Sequence, residues 1–345
     1  MSAQSSTAQA STTQPVSPVI VVLCSDETGK PPHLEPVESR ADVRYTDTAG
    51  LADALEGAQA LFLWDFFSSA VRDVWPQAQH LEWIHVAAAG VDTLMFDELA
   101  QSDVIVTNAK GVFDRPIAEF VLASILAVAK DVHGSHDLQA SRTWQHRETQ
   151  TVAGATVLVV GTGSIGREIA RLLRVVGMDV RGAGRTARES DPDFGSVVPS
   201  ADLAEHVGWA DHVVVVAPLT DATRNLVDQD VLSAMKPTAH LINVARGPIV
   251  DETAMVSALE NESIAAATLD VFDTEPLPAD HALWTTPGVV ITPHMSGDAI
   301  GWTDTLARQF VDNAERWMDG APLVNVVDKQ LGFAQAAPTE ETSNG

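Results

Sequence analysis

The sequence predicts an α/β protein built as two doubly wound parallel-sheet domains with a cleft between them. Three observations carry that prediction. Short, uninterrupted apolar runs alternate with helical patterns along most of the chain, the mark of parallel strands covered on both faces. The runs are too many for one half of a doubly wound sheet. A glycine-rich turn, "GTGSIG" at 161–166, opens near the middle of the chain and leaves room for a complete α/β unit ahead of it.

Taken in order, "VIVVLC", "ALFLW", "WIHVAAAG" and "VIVTN" supply the first sheet. "TVLVVG", "DVRGAG", "HVVVVAP", "HLINVA" and "AAATLDVF" supply the second. At 345 residues the chain can bury two ordinary cores. Residues 1–17 are rich in Ser, Thr and Gln, and "AAPTEETSNG" closes the chain, so 1–17 and 330–345 are expected to be disordered tails.

Forty-seven acidic against 21 basic residues give a net charge of −26. That field repels polyanions, so neither nucleic acid nor an anionic membrane surface is an expected partner. The acids are scattered rather than run together, which suits a solubilising surface. Cys24 is the single cysteine, so no intrachain disulfide can form, in keeping with a reducing compartment. The N-terminal segment has neither a basic n-region nor an apolar h-region, and no apolar run could span a bilayer. The expectation is a cytoplasmic protein whose Cys24, inside the first strand, is buried and inert.

Gly161, Gly163 and Gly166 form G-x-G-x-x-G, weak by itself but here preceded by an apolar strand and followed by a helix. Ser164 and Ile165 open that helix, with Ile165, Ile169, Leu172 and Val176 on one face. The first glycine permits the tight turn, the second admits a pyrophosphate, and the third lets helix pack on strand. The helix N-terminus offers free N–H groups to the phosphates. The next strand should end at the residue that reads the adenosine ribose. An NAD site usually has Asp or Glu there, whereas this chain has Gly184, Arg185, Thr186, Ala187 and Arg188. Arg185 and Arg188 with the space left by glycine would welcome a 2′-phosphate, so NADP(H) is expected. If those arginines are only solvated surface charges, NAD(H) is the cofactor.

Three strand ends downstream carry candidate chemistry: Arg246 in "LINVARGPIVDE", Asp270 and Glu275 in "LDVFDTEPLP", and His294 in "ITPHMSG". Ligands of open α/β sheets bind at such strand ends. Each residue alone has an ordinary explanation; together they bring a cation, carboxylates and a titratable acid/base to one sheet edge. Reduction of a 2-keto acid needs these types. Arg246 would hold the carboxylate and polarise the ketone, His294 would protonate the oxygen, and Glu275 would orient the imidazole and stabilise its cation.

With "VAPLTDATRNLVD", these segments resemble, in order and spacing, the D-isomer-specific 2-hydroxyacid dehydrogenases over roughly residues 18–329. The resemblance implies a Rossmann cofactor domain (110–295) and a flavodoxin-like, discontinuous substrate domain (18–109 plus 296–329). It implies Arg246, Glu275 and His294 as the catalytic set, Asp270 at the nicotinamide, and Pro218, Thr223 and Val244 along the cofactor. Ala89 and Gly90 of "AAAGVD" would bind the substrate carboxylate through backbone N–H groups. The 184–188 run is similar to that of NADP-dependent glyoxylate/hydroxypyruvate and 2-ketoacid reductases in the family. Residues 115–150 resemble its dimer-forming arm, so a homodimer is implied.

Trp64, Phe66 and Phe67 in "LFLWDFFSS" exceed what one core layer needs, so Trp64 is expected to line the substrate pocket, with Met295 and Trp302 adding apolar wall. Between Val19 and Thr107 the only cations are Lys30, Arg40, Arg44 and Arg72, and none lies in "LFLWDFFSS" or "HVAAAGVDT", the segments expected to face the substrate, which predicts an uncharged, apolar side chain on the 2-keto acid. His133 and His136 at i, i+3 have no third ligand near in sequence and are expected at the surface, with no metal bound. Two alternatives stay open: an NAD-dependent hydroxyacid dehydrogenase of other substrate preference, and a dinucleotide-sensing interaction protein like the corepressors built on this fold.

Overall fold

The computed structural model describes residues 17–334, so the expected tails lie almost wholly outside the described residues. Strands β1 (Val19–Leu23), β2 (Asp42–Thr46), β3 (Ala60–Leu63), β4 (Trp83–Val86) and β5 (Ile105–Asn108) form one sheet. Its order is β2-β1-β3-β4-β5, all parallel, the flavodoxin-like arrangement. A second sheet contains β6 (Thr156–Val160), β7 (Asp179–Gly184), β8 (Arg188–Asp191), β9 (Gly195–Pro199), β10 (His212–Val215), β11 (His240–Asn243), β12 (Ala266–Leu269) and β13 (Val289–Ile291). It runs β13-β12-β11-β10-β6-β7-β9-β8, parallel except for the edge strand β8. The strand order reverses between β6 and β10, the switch point where a Rossmann sheet binds its dinucleotide.

Every strand expected from an uninterrupted apolar run is present. β2 and β8 carry the sequences Asp-Val-Arg-Tyr-Thr and Arg-Glu-Ser-Asp at sheet edges, where one side meets water and no apolar run is required. A hairpin of β14 (Val327–Asp328) and β15 (Phe333–Ala334) corrects the start of the C-terminal tail, because residues 333–334 are paired. Cys24 also departs from expectation: it lies one residue past β1 and is only partly buried, its thiol pKa raised by that burial.

The helix Trp302–Met318 returns across the first sheet and stacks Phe310 on Phe62 at 3.9 Å between ring centroids and on Trp83 at 5.5 Å. Each fully buried phenylalanine contributes about 1.5–3 kcal/mol from water exclusion. The helix Ser164–Val175 buries Gly166, Ile169, Ala170 and Leu173, a stripe at i, i+3, i+4 and i+7. The expected face is thus rotated: Ile165, Leu172 and Val176 flank the stripe, partly buried.

Three histidines are sealed into the strands. His85 donates or accepts one bond with the Thr107 hydroxyl at 2.7 Å, and burial lowers its pKa to about 3. His212 and His240 pair across β10 and β11, lowered by burial to about 4 and about 3. Unfolded imidazole has a pKa near 6.5, so the unfolded chain takes up protons first as pH falls. Stability contributed by these neutral rings is complete above about pH 6.5 and declines on acidification toward their folded values. Thermal melts are expected to lose temperature between about pH 6.5 and 5, before carboxylates titrate. His85→Gln, which keeps a bond to Thr107 but does not titrate, should flatten that slope; an unchanged slope would exclude His85 as a cause.

Candidate active site

The glycine turn follows β6. Gly161 has φ +120°, and a Cβ on it would lie 2.6 Å from the Ala217 backbone nitrogen. A Cβ on Gly166 would stand 2.0 Å from the Gly161 carbonyl oxygen, which is how closely helix and turn approach. Gly163 meets nothing within 4 Å, leaving its face open at the N-terminus of a twelve-residue helix. This cradle fits a dinucleotide pyrophosphate. Ser164 turns its hydroxyl to Asp114 (3.2 Å), and Ile165 packs against the core.

At the ribose end, β7 finishes at Gly184, where a Cβ would come 3.0 Å from the Thr162 hydroxyl. Arg185 and Thr186 are exposed, with the Arg185 guanidinium 5.4 Å from the Phe333 ring centroid. Arg188 is engaged more closely: its Nε donates to Asp191 at 2.9 Å, and its Nη2 is buried with no partner among the described residues. Pro218 is exposed in the loop after β10, but the Thr223 hydroxyl is taken up locally, donating to the Pro218 carbonyl at 2.6 Å. Val244 is buried at the end of β11.

Across the sheets, Arg246 follows β11 and reaches the loop after β4. Its Nε lies 3.2 Å from both Asp92 carboxylate oxygens, its Nη2 3.0 Å from Oδ1, and its Nη1 donates to the Ala245 carbonyl. A Cβ on Gly90 would stand 2.3 Å from Arg246 Nη2, so the guanidinium rests where any other residue would project a side chain. Ala89 is beside it, its carbonyl accepting from Asn108 at 2.6 Å.

His294 follows β13, and its Nδ1 is 2.7 Å from Glu275 Oε2. Glu275 Oε1 accepts from the Phe272 N–H at 2.9 Å. Burial pushes the Glu275 pKa up, but the bonds from His294 and Phe272 and the charges of His294 and Arg246 outweigh it, holding the carboxyl below its usual range. His294 itself sits at φ +51°, a left-handed conformation that costs a non-glycine residue about 1 kcal/mol or more.

Asp270 supplies the compensation. It is 0% exposed, with Oδ1 accepting from the Thr292 hydroxyl (2.6 Å) and Met295 N–H (2.9 Å), and Oδ2 from the Ser296 N–H (2.8 Å). Its carbonyl accepts from the His294 N–H at 2.8 Å. The carboxylate thus ties down the loop that carries the imidazole.

Trp64 departs from the expectation of a pocket-lining side chain. It is 5% exposed, packed 5.5 Å from Phe62 in the core, with its indole N–H toward the Thr28 carbonyl. Phe67, three residues on and exposed, stands edge-on to the His294 ring at 5.4 Å, and Phe66 links it to Trp302. Met295 is half exposed beside His294. Sequence reasoning missed Asp92, whose only signal was a carboxylate two residues after Gly90 in a loop expected to bind an anion. His133 and His136 are exposed on the helix Val132–Ala140.

An imidazole braced by a carboxylate and sharing the field of a guanidinium, in a chain that also carries a dinucleotide-type turn, has the chemistry to exchange a proton with a carbinol or ketone oxygen. The chain is a nicotinamide-dinucleotide-dependent oxidoreductase acting on CH–OH groups. Residues 122–296 match the NAD binding domain of D-isomer specific 2-hydroxyacid dehydrogenases. An (S)-sulfolactate dehydrogenase of Chromohalobacter salexigens is 32% identical over 78% of this chain and 88% of its own length. A glyoxylate reductase of Aeropyrum pernix is 32% identical over 75% of this chain and 80% of its own. The crystal structure of a D-isomer specific 2-hydroxyacid dehydrogenase from Xanthobacter autotrophicus Py2, in complex with NADPH and MES, is also similar. It superposes with a TM-score of 0.78 at 32% identity, covering 92% of this chain and 100% of that one. The protein belongs to the D-isomer specific 2-hydroxyacid dehydrogenase family.

Proposed function

We propose that the protein is an NADP(H)-dependent 2-keto acid reductase, working reversibly on D-2-hydroxy acids, with His294, Glu275 and Arg246 as its catalytic residues. The observation that carries this is the 2.7 Å His294–Glu275 contact within the field of Arg246. Bound, the nicotinamide supplies or accepts the hydride. Arg246, with the Ala89 and Gly90 backbone, holds the substrate carboxylate and draws charge from the ketone. His294 gives a proton from Nε2 to the ketone oxygen during reduction and takes it back in oxidation. Glu275 keeps Nδ1 protonated and the ring oriented.

Gly184 with Arg185, Thr186 and Arg188 favours a 2′-phosphate, and the NADPH-bound relative supports that choice. Residues 110–295 form the cofactor-binding domain, and 18–109 with 296–329 the substrate domain. Two copies associate through the 115–150 arm, whose fully exposed Trp144 would be covered.

The substrate side chain is uncharged and apolar. In the first sheet's domain Arg40 pairs with Asp319, Arg44 bonds the Ala54 and Glu56 carbonyls, Arg72 bonds the Met95 carbonyl, and Lys30 lies over the Tyr45 ring. Phe67 offers apolar surface worth about 25 cal/mol per Å² covered. Steady-state kinetics with NADPH and NADH over glyoxylate, phenylpyruvate, branched 2-keto acids and 3-phosphohydroxypyruvate test the reading. NADPH and an apolar acid should give the highest kcat/KM, and Phe67→Ala should harm phenylpyruvate far more than glyoxylate. Preference for NADH, or for the phosphorylated acid, refutes it.

A further inference from the structure

Resting on the NADP(H) reading above, we infer that Asp191 is a positioning residue for cofactor choice, fixing the Arg188 guanidinium at the end of β7 for the adenosine 2′-phosphate. The sheet register puts Arg188 there: it pairs with Val197, which pairs with Gly182, two residues before the end of β7. A free arginine side chain would sweep many rotamers, and binding would have to order it. Asp191 has already done so, with its Oδ2 accepting from Arg188 Nε at 2.9 Å.

Asp191 is itself immobile. Its side chain is 3% exposed and accepts from Arg167 Nη1 (3.1 Å) and Nη2 (3.2 Å) and from the Asp193 and Phe194 N–H groups (3.0 and 3.2 Å). Arg167 belongs to the helix that starts at the glycine turn, so the pyrophosphate cradle and the 2′-phosphate locus share one bonded frame. Arg171 Nε joins it through Asp193 at 2.7 Å. Three guanidiniums face Asp191 and Asp193, and Arg171 also reaches a third carboxylate, Glu168, at 3.7 Å. Arg188 spends only Nε on Asp191, and although its Nη2 is buried the side chain is 35% exposed, which leaves the outer edge of the held guanidinium to meet an anion.

The test measures binding rather than turnover. Dissociation constants for NADPH, NADH, adenosine 2′,5′-bisphosphate and AMP are taken by calorimetry on the full chain, with thermal melts of each variant. Wild type should favour both 2′-phosphorylated ligands; equal binding of all four would overturn the NADP(H) reading itself. Asp191→Asn should weaken NADPH and the bisphosphate about tenfold, the loss of one charge-assisted contact, with NADH and AMP as internal references. In an Arg188→Ala background Asp191→Asn should add nothing. Arg188→Lys, which leaves the Asp191 backbone bonds alone and keeps the charge, should lose the same preference, since lysine has no Nε donor to be held there. A wild-type preference left intact by Asp191→Asn or Arg188→Lys, or equal weakening of all four ligands, would defeat the positioning role alone.

Discussion

Replacing His294 by alanine is expected to lower kcat by about 10²- to 10⁴-fold, the span lost with a general acid, while the dissociation constant for NADPH stays nearly unchanged. Chemistry and cofactor binding separate because the imidazole follows β13 at one edge of the sheet, whereas the glycine turn follows β6 and the ribose loop β7. Alanine keeps a Cβ at φ +51°, so the backbone strain is not relieved, and a thermal melt of the variant separates lost chemistry from lost fold. Single-turnover reduction of a 2-keto acid, beside NADPH titration, reads both quantities. Near-normal turnover would remove His294 from the reaction. Glu275→Gln should be milder and leave a different trace. It withdraws the anion facing the imidazolium, so the pH above which reduction fails should move to lower pH. The Phe272 N–H still finds an acceptor in the glutamine, and the loop should hold.

The loops that carry the proposed catalytic residues were legible because each lies at the C-terminal end of an apolar strand, and parallel strands gather such ends at one edge. Arg246, Glu275 and His294 therefore met as expected. What stayed hidden depends on side-chain direction and on pairing across the fold. Trp64 and Phe67 sit three positions apart in one aromatic run, and nothing in that run says which turns inward; the hydrogen bond of Trp64 to the Thr28 carbonyl belongs to another loop. The three donors from 292–296 that enclose the Asp270 carboxylate were equally hidden, since they come from the loop after the next strand. Asp191 was invisible for the same reason. Its strand is polar, at a sheet edge, and of its partners, both of which precede it, Arg188 shares its strand whereas Arg167 lies 24 residues back on a helix.

Arg246→Ala is expected to reduce kcat/KM for every 2-keto acid by about 10²- to 10³-fold, the equivalent of two charge-assisted hydrogen bonds. Both KM and kcat should suffer, because the guanidinium binds the carboxylate in the ground state and meets the growing negative charge on oxygen in the transition state. A further cost comes from the residue left behind. Asp92, now making three contacts to two guanidinium nitrogens, would face the substrate carboxylate with its charge uncompensated. Arg246→Ala combined with Asp92→Asn should therefore recover part of the KM lost in Arg246→Ala, though not the kcat. Arg246→Lys should recover little, since an ammonium cannot hold a carboxylate and Asp92 in one planar fork. NADPH affinity reports on the integrity of the fold throughout. If Arg246→Ala leaves kcat/KM intact, the substrate carboxylate is held elsewhere. If Asp92→Asn gives no recovery, the Asp92–Arg246 pair opens on substrate binding, and the aspartate is not part of the cost.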